Sequence, residues 1–464
     1  MVALKAARER LASFLQQGLV RSIGILVGGT VTAHAITLLA MPVSTRLYTP
    51  EHFSAISVFS GLVGILSVAA CLRFDAAIAL PEDDEQAANL LALSLAAAAG
   101  TAILLAGVLL LLPRAALDLL NVPSLIPYLW LVPVAVFITG VYLALQSWYI
   151  RRRAFGSIAR SRAGQAAVAA SVQIGMGFLG IAPLGLIVAN VLNYGAGSLS
   201  LTAGVLARER PLLKRVSWGG MVAAFRAYDR FPRFSVWEGL ANGLSNSAPL
   251  LIIAALSAGP EAGFLTLALF VLQAPMALIG NAVAQVYLSG APEAHREGRL
   301  GVYTTDMFAG LLRMGAGPMI FAAIVSPAAF GLVFGEGWER SGVLVAWMAP
   351  WFLLQFLSAP ISNALHVTGR QKTMMIFHLF GLVLRVGGVL IAGAVARGYL
   401  AEVWAVSGWL FYGAYVATIL RVVEAPRGTV MTALRRSLPM ILAGVAGGII
   451  AAVAAAMISR AVGV

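Results

Sequence analysis

Thirteen apolar stretches, each long enough to cross roughly 30 Å of hydrocarbon, recur along this chain. They lie near 22–45, 52–72, 87–112, 126–149, 163–182, 184–206, 235–257, 261–289, 306–334, 341–366, 374–396, 400–420 and 438–459. In lipid no water is present to pair backbone amides, so a continuous apolar run of this length must close its own hydrogen bonds as a helix. The pattern therefore predicts an all-α polytopic membrane protein with twelve to thirteen transmembrane helices. The composition agrees: 60% of residues are hydrophobic and 11% charged, with a mean hydropathy of +0.89.

The 32 lysines and arginines orient this ladder. With the N-terminus in the cytoplasm, twenty-five fall on the inner side, five on the outer side and two inside spans. The inner side takes Arg151, Arg152 and Arg153 after the fourth stretch, and Lys214, Arg215, Arg226, Arg230 and Arg233 after the sixth. The outer side holds only Arg46, Arg114, Arg340, Arg397 and Arg460. Short basic loops stay cytoplasmic, so the chain reads as N-terminus-in. The pI near 10.4 follows from this asymmetry, and no nucleic-acid partner is expected. Residues 1–18 alternate apolar and basic positions, which suits an amphipathic arm on the anionic leaflet.

The first apolar stretch reads as a retained span. Ala33-His34-Ala35 imitates a cleavage site, but apolar residues continue to Met41. A single cysteine, Cys71, allows no internal disulfide and no cysteine-cluster metal site, and no cofactor is expected. With three lysines and no G-x-x-x-x-G-K sequence, the chain carries no phosphate-loop motor. The outer loops are short, which disfavours a glycan polymerase or ligase that would need external surface for its chemistry.

The basic segment 207–234 separates six apolar stretches from seven. The predicted organisation is an arm (1–18), an N-terminal lobe (19–206), the inter-lobe loop (207–234), a C-terminal lobe (235–421) and a loop plus extra span (422–464). The halves share a helix start: Thr49-Pro50-Glu51 with Phe53 and Phe59, against Gly259-Pro260-Glu261 with Phe264 and Phe270. Proline at the first helical position and glutamate on the positive end of the dipole make each a helix N-terminus. Duplicated halves are a common way to build alternating access in transporters.

The stretch RLYTPEHFSAISVFSGLVGILSVAACLRFDAAIALPEDDEQAANL (46–90) and the stretch LQSWYIRRRAFGSIARSR (145–162) resemble the polysaccharide-unit flippases of the O-antigen, Wzx-type family. That family belongs to the superfamily that also holds multidrug-and-toxin exporters and the lipid II flippase. The resemblance implies two pseudo-symmetric six-helix lobes around a central cavity. It also implies that an undecaprenyl-pyrophosphate-linked oligosaccharide is moved to the outer leaflet of a bacterial inner membrane, without chemical catalysis. Membrane lipids, a polysaccharide polymerase and a chain-length regulator are the partners it suggests. The thirteenth stretch, 438–459, departs from that plan.

Ionisable groups deep in a bilayer are costly, so each is a candidate for function. Arg385 lies near the middle of the eleventh stretch, on a helical stripe with His378, Gly381, Gly388 and Ala392. Arg313 lies about two turns inside the ninth. Glu238, Asn242 and Asn246 share a face of the seventh; Gln273 and Gln285 lie on the eighth, and His34 on the first. Guanidinium suits bidentate phosphate recognition, and amides suit sugar hydroxyls. Arg46 is expected to snorkel to headgroups, Arg73 to anchor the inner end of the second span, and Glu82-Asp83-Asp84-Glu85 to form a solvated turn capping the third. None of the nineteen carboxylates falls at mid-membrane, which favours an anionic cargo over a cationic one. The reading is a lipid-linked oligosaccharide flippase of lipopolysaccharide or exopolysaccharide biosynthesis. The alternatives are a cation-coupled multidrug-type exporter, a membrane-embedded glycan polymerase or ligase, and a non-transporting assembly scaffold.

Overall fold

The computed structural model describes residues 2–462 apart from 114–117, 119–120, 258, 276–279 and 427. The side chains of 2–23, 26, 274–275, 281–282, 285, 288–289, 371 and 462 are also left aside. The described residues form helices and no strand. In chain order these are α1 (Val2–Leu47), α2 (Pro50–Ala70), α3 (Phe74–Ala77), α4 (Asp84–Leu111), α5 (Leu131–Arg151), α6 (Phe155–Phe178) and α7 (Leu184–Arg208). After them come α8 (Arg210–Leu213), α9 (Trp218–Ala227), α10 (Val236–Ser257), α11 (Glu261–Pro275), α12 (Asn281–Arg296) and α13 (Leu300–Phe334). The last are α14 (Glu339–Ile361), α15 (Ala364–Val367), α16 (Gln371–Val395), α17 (Leu400–Val422) and α18 (Thr429–Val462).

Eleven helical segments among the described residues are long and apolar enough to cross a membrane. Two expected spans are not among them, for different reasons. The stretch 163–182 falls largely on α6, which is 24 residues long but carries Gln165 and Gln173, so its hydropathy falls short. The stretch 261–289 contains residues 276–279, which lie outside the described residues, with α11 before them and α12 after. The expected arm is continuous with the first span, because α1 runs unbroken for 46 residues. The inter-lobe loop is itself partly helical, as α8 and α9.

The chain forms two compact units: Met1–Ala40, Phe59–Arg114 and Leu125–Ser247 in the first, and Met41–Val58, Ala115–Ser124 and Ala248–Val464 in the second. Helices α1, α2 and α10 each contribute residues to both. The first unit is packed around Trp148, Phe74, Ile78, Leu90, Ile158 and Leu201. In this unit, Arg151 and Arg152 both pair with Asp84, at 2.9 and 2.8 Å, and Arg152 also reaches Glu209 at 2.9 Å. The acidic run is therefore more than a solvated turn. Asp83 caps α4 by accepting from the Gln86 amide, while Asp84 clasps the basic turn after α5.

The second unit is packed around Tyr287, Leu311, Phe356, Leu365, Tyr415 and Ile419. Here the two Pro-Glu helix starts meet. Ser54 of α2 donates to the Gly259 carbonyl at 3.1 Å and accepts from the Gly263 amide at 2.9 Å. One turn on, Ser57 bonds Thr266. A side chain at Gly263 would collide with the Pro50 carbonyl, so the absence of a Cβ is what admits this approach. Arg46 departs from the snorkelling expectation. Its guanidinium donates to the Leu332 and Val333 carbonyls at 2.9 and 2.8 Å, satisfying groups that the end of α13 leaves without intrahelical partners.

The extra C-terminal helix α18 packs along α13, with Gly444 against Gly317 and the Met440 carbonyl over Gly317. Small residues let two backbones approach where lipid supplies no hydrophobic drive. Gly444→Leu should push α18 from α13 and cost about 1–3 kcal/mol by overpacking. A thermal melt in detergent checks this: the variant should insert normally and melt several degrees lower.

Candidate functional site

In the first unit, the face of α2 carrying Ser60, Gly64 and Ser67 opens on a cavity of about 270 Å3. These residues are three or four apart and stack on one side of a helix. Thr139 and Leu143 of α5, with Asn190 and Tyr194 of α7, form the facing walls. The floor is Arg73. Directly after α2 the chain passes through two consecutive left-handed residues, Leu72 and Arg73, with φ of 49° and 64°. Non-glycine residues in that region carry backbone strain, and such strain clusters at functional sites. The turn brings the Arg73 side chain back under the helix it follows. Its Nε lies 3.8 Å from where a Cβ on Gly239 would stand.

The polar groups of this cavity are incompletely satisfied. Asn190 donates to Ser60 at 3.1 Å. By contrast, Ser67 Oγ, Thr139 Oγ1 and Arg73 Nε are buried with no hydrogen-bond partner. Ser67 and Thr139 are only 6% and 5% exposed, so the shortfall is not made up by bulk solvent. The neighbouring Asp75 is buried too and forms no ion pair with Arg73 among the described residues. Burial pushes its carboxyl above the usual carboxylate range, against the opposing pull of Arg73. Sequence reasoning treated Arg73 as an anchor because its span had already ended. The i, i+4, i+7 run of Ser60, Gly64 and Ser67 leading to it was the available signal.

The second unit holds the deepest cation. Arg385 on α16 lies over the rings of Phe411 at 4.9 Å, Tyr412 at 5.1 Å and Trp351 at 5.2 Å. Its Nε and Nη2 are buried without a hydrogen-bond partner. Gly381, one turn before it, leaves space for Phe411. Ring faces attract a cation by about 2 kcal/mol when desolvated, so three of them hold the charge while leaving donors unused. His378, two turns before Arg385 on the same helix, is exposed and stands 6.1 Å from the Tyr415 ring.

The remaining expected residues are distributed between the units. His34, Glu238, Asn242 and Asn246 belong to the first. Asn246 donates back to the Asn242 carbonyl at 3.0 Å, while Glu238, Asn242 and Asn246 are exposed and His34 is half-buried. Arg313 and Gln273 belong to the second unit, both exposed. Arg313 pairs with neither Asp306 nor any other carboxylate among the described residues. The side chains of Gln285 and Asn281 lie outside the described residues. Also in the second unit, Arg340 bridges Glu261 at 2.7 Å and Glu402 at 2.6 Å, so those two carboxylates are already engaged by a cation. No group of three or more His, Cys, Asp or Glu able to hold a metal occurs among the described residues.

A family model described as polysaccharide biosynthesis protein matches residues 43–343, well over half of the chain. The chain belongs to that family. No curated protein matches it in sequence. Among solved structures, the lipid II flippase MurJ in its inward closed conformation gives a TM-score of 0.64 at 11% identity, covering 97% of this chain and 99% of that one. A multidrug resistance MATE family transporter of the MOP superfamily, inward-facing, gives 0.58 at 16% identity, over 86% and 93% of the two chains. The outward-facing form of such a transporter gives 0.54 at 15% identity, over 87% and 95%. At these identities the likeness establishes the fold of this family member, which is MurJ- and MATE-like. The family is thus one of polysaccharide biosynthesis, and the fold is one that the lipid II flippase and the MATE transporters share.

The cage makes a prediction about stability. Replacing a poorly satisfied buried charge by an apolar side chain of similar size is often neutral or stabilising. Arg385→Met should therefore melt at or above the wild-type temperature, whereas Trp351→Ala should cost about 3–5 kcal/mol. A large loss in Arg385→Met would make the caged guanidinium a structural element.

Proposed function

We propose that this protein is a flippase that carries undecaprenyl-pyrophosphate-linked oligosaccharide units across a bacterial inner membrane for cell-surface polysaccharide synthesis. The observation that carries the reading is Arg385, a cation deep in a span with two donor atoms unused and no carboxylate partner among the described residues. A buried positive charge that is not neutralised within the protein is matched to an anionic cargo, and a diphosphate accepts bidentately from guanidinium. Family membership supplies the polysaccharide context. Arg313, with no anionic partner on its own helix, is assigned to the same headgroup. Glu238, Asn242, Asn246, His34, His378, Gln273 and Gln285 are assigned to sugar hydroxyls and to the walls of the pathway.

The mechanism needs no covalent step. The two halves open alternately to the two leaflets, and the cation offsets the cost of taking a diphosphate out of water. Membrane lipids and the lipid-linked substrate are the immediate partners; a polymerase and a chain-length regulator would act downstream. The N-terminus is assigned to the cytoplasm.

Charge loss in Arg385→Gln should abolish surface glycan in a complementation assay, with Arg385→Lys retaining about a tenth of export, while immunoblots show normal protein levels. Wild-type glycan in Arg385→Gln would reject the reading. A cysteine placed at the exposed residue 219, where a side chain meets nothing, in a Cys71→Ala background, should stay unlabelled by membrane-impermeant maleimide added from the periplasm and become labelled once the membrane is permeabilised. Labelling before permeabilisation would reverse the orientation.

A further inference from the structure

The cavity floored by Arg73 is separate from the Arg385 cage and lies wholly within the first unit. Of its ten lining residues, Arg73 alone carries a charge. Three of its polar atoms, Ser67 Oγ, Thr139 Oγ1 and Arg73 Nε, are buried without partners. An unmet buried donor costs about 1–3 kcal/mol, more when charged, so three in one cavity call for a ligand able to meet them together. Arginine has donors only, and each hydroxyl can also donate. What they lack in common is an acceptor, and a negative one suits the guanidinium.

We propose that this cavity is an oxyanion site for a phosphoryl group, gripped by the Arg73 guanidinium and by the Ser67 and Thr139 hydroxyls. Size supports the class. At roughly 30 Å3 per water the cavity has room for about nine waters. That is room enough for a phosphate or diphosphate together with some water. The wall residues add graded polarity: Asn190 is held by Ser60, and Tyr194 lies one turn from Asn190 on the same helix. The counter-charge closest in sequence, Asp75, neither lines the cavity nor pairs with Arg73. A Cβ on Gly239 would strike Val68, another wall residue.

The phosphoryl group could be borne by the lipid-linked substrate or by free phosphate or pyrophosphate. Assigning it to the lipid rests on the proposed function; the oxyanion site itself does not. The test uses the full-length protein in phosphatidylcholine nanodiscs. Inorganic pyrophosphate is titrated by calorimetry, and undecaprenyl pyrophosphate is added as competitor. Wild type should bind pyrophosphate saturably, Arg73→Gln at least about tenfold more weakly, and Arg73→Lys in between. The Ser67→Ala/Thr139→Val pair should weaken binding about fivefold with Arg73 intact, and this pair carries the test if Arg73→Gln does not fold. Arg397→Gln, a cation of the second unit that lines neither this cavity nor the Arg385 cage, should bind as wild type does.

Equal pyrophosphate affinity in wild type and both sets of cavity variants would overturn the site. So would the absence of any binding to wild type, which would leave a water-filled cavity only. Competition by undecaprenyl pyrophosphate would support the lipid as source. Binding of free pyrophosphate without such competition would keep the oxyanion site and remove the lipid from it. Loss of glycan export in Arg385→Gln bears on the flippase reading alone, so the two can fail separately.

Discussion

A guanidinium or hydroxyl taken out of water must find a partner within the protein or leave several kcal/mol unrecovered. Much of this structure is the disposal of such groups. Backbone amides are consumed by helices. Arg340 is matched to Glu261 and Glu402, and Arg46 is spent on the carbonyls closing α13. Arg151 and Arg152 are spent on Asp84. Against that thorough pairing, Arg73 and Arg385 stand out because each has buried donors with nothing to meet them. Arg385 is at least bounded by three ring faces; Arg73 is bounded by a cavity.

The duplicated helix start gives a second organising contact. Ser54 both donates to Gly259 and accepts from Gly263, so a residue from one copy of the repeat completes the backbone of the other. Position Gly263 must lack a side chain for this, and the proline-first geometry of both starts leaves their N-terminal amides free to be capped. The contact lies inside the second unit, because residues Met41–Val58 are grouped there although they precede the first unit's main body in sequence. A purely linear division of the chain at the basic loop misses that exchange.

The location of charge also bears on cargo. The carboxylates with assigned partners are at helix ends, and the unmet side-chain atoms include donors of two arginines and one oxygen of Glu402, whose other oxygen Arg340 holds. An exporter of organic cations needs the opposite balance. The family is one of polysaccharide biosynthesis and the fold is MurJ-like; the anionic, lipid-borne cargo is the proposal built on them. The first unit's cavity would then hold a phosphoryl group apart from the caged arginine.

How much of this was legible beforehand depended on range. Hydropathy and backbone chemistry act locally, so the sequence alone determined helix, membrane and the ladder of spans, and its cationic residues flagged Arg385 by depth. It could not see that Trp351, Phe411 and Tyr412, from two other helices, enclose that arginine, because ring packing depends on which helices become neighbours. Nor could it see that Leu72 and Arg73 adopt left-handed conformations, which turned an arginine counted as a boundary marker into the floor of a cavity. Gln165 and Gln173 lowered one expected span below the apolarity of the rest while leaving it helical. Sequence fixes which groups must be hidden from lipid; only tertiary packing decides which of them find partners, since partnership is a matter of contact between segments far apart in the chain.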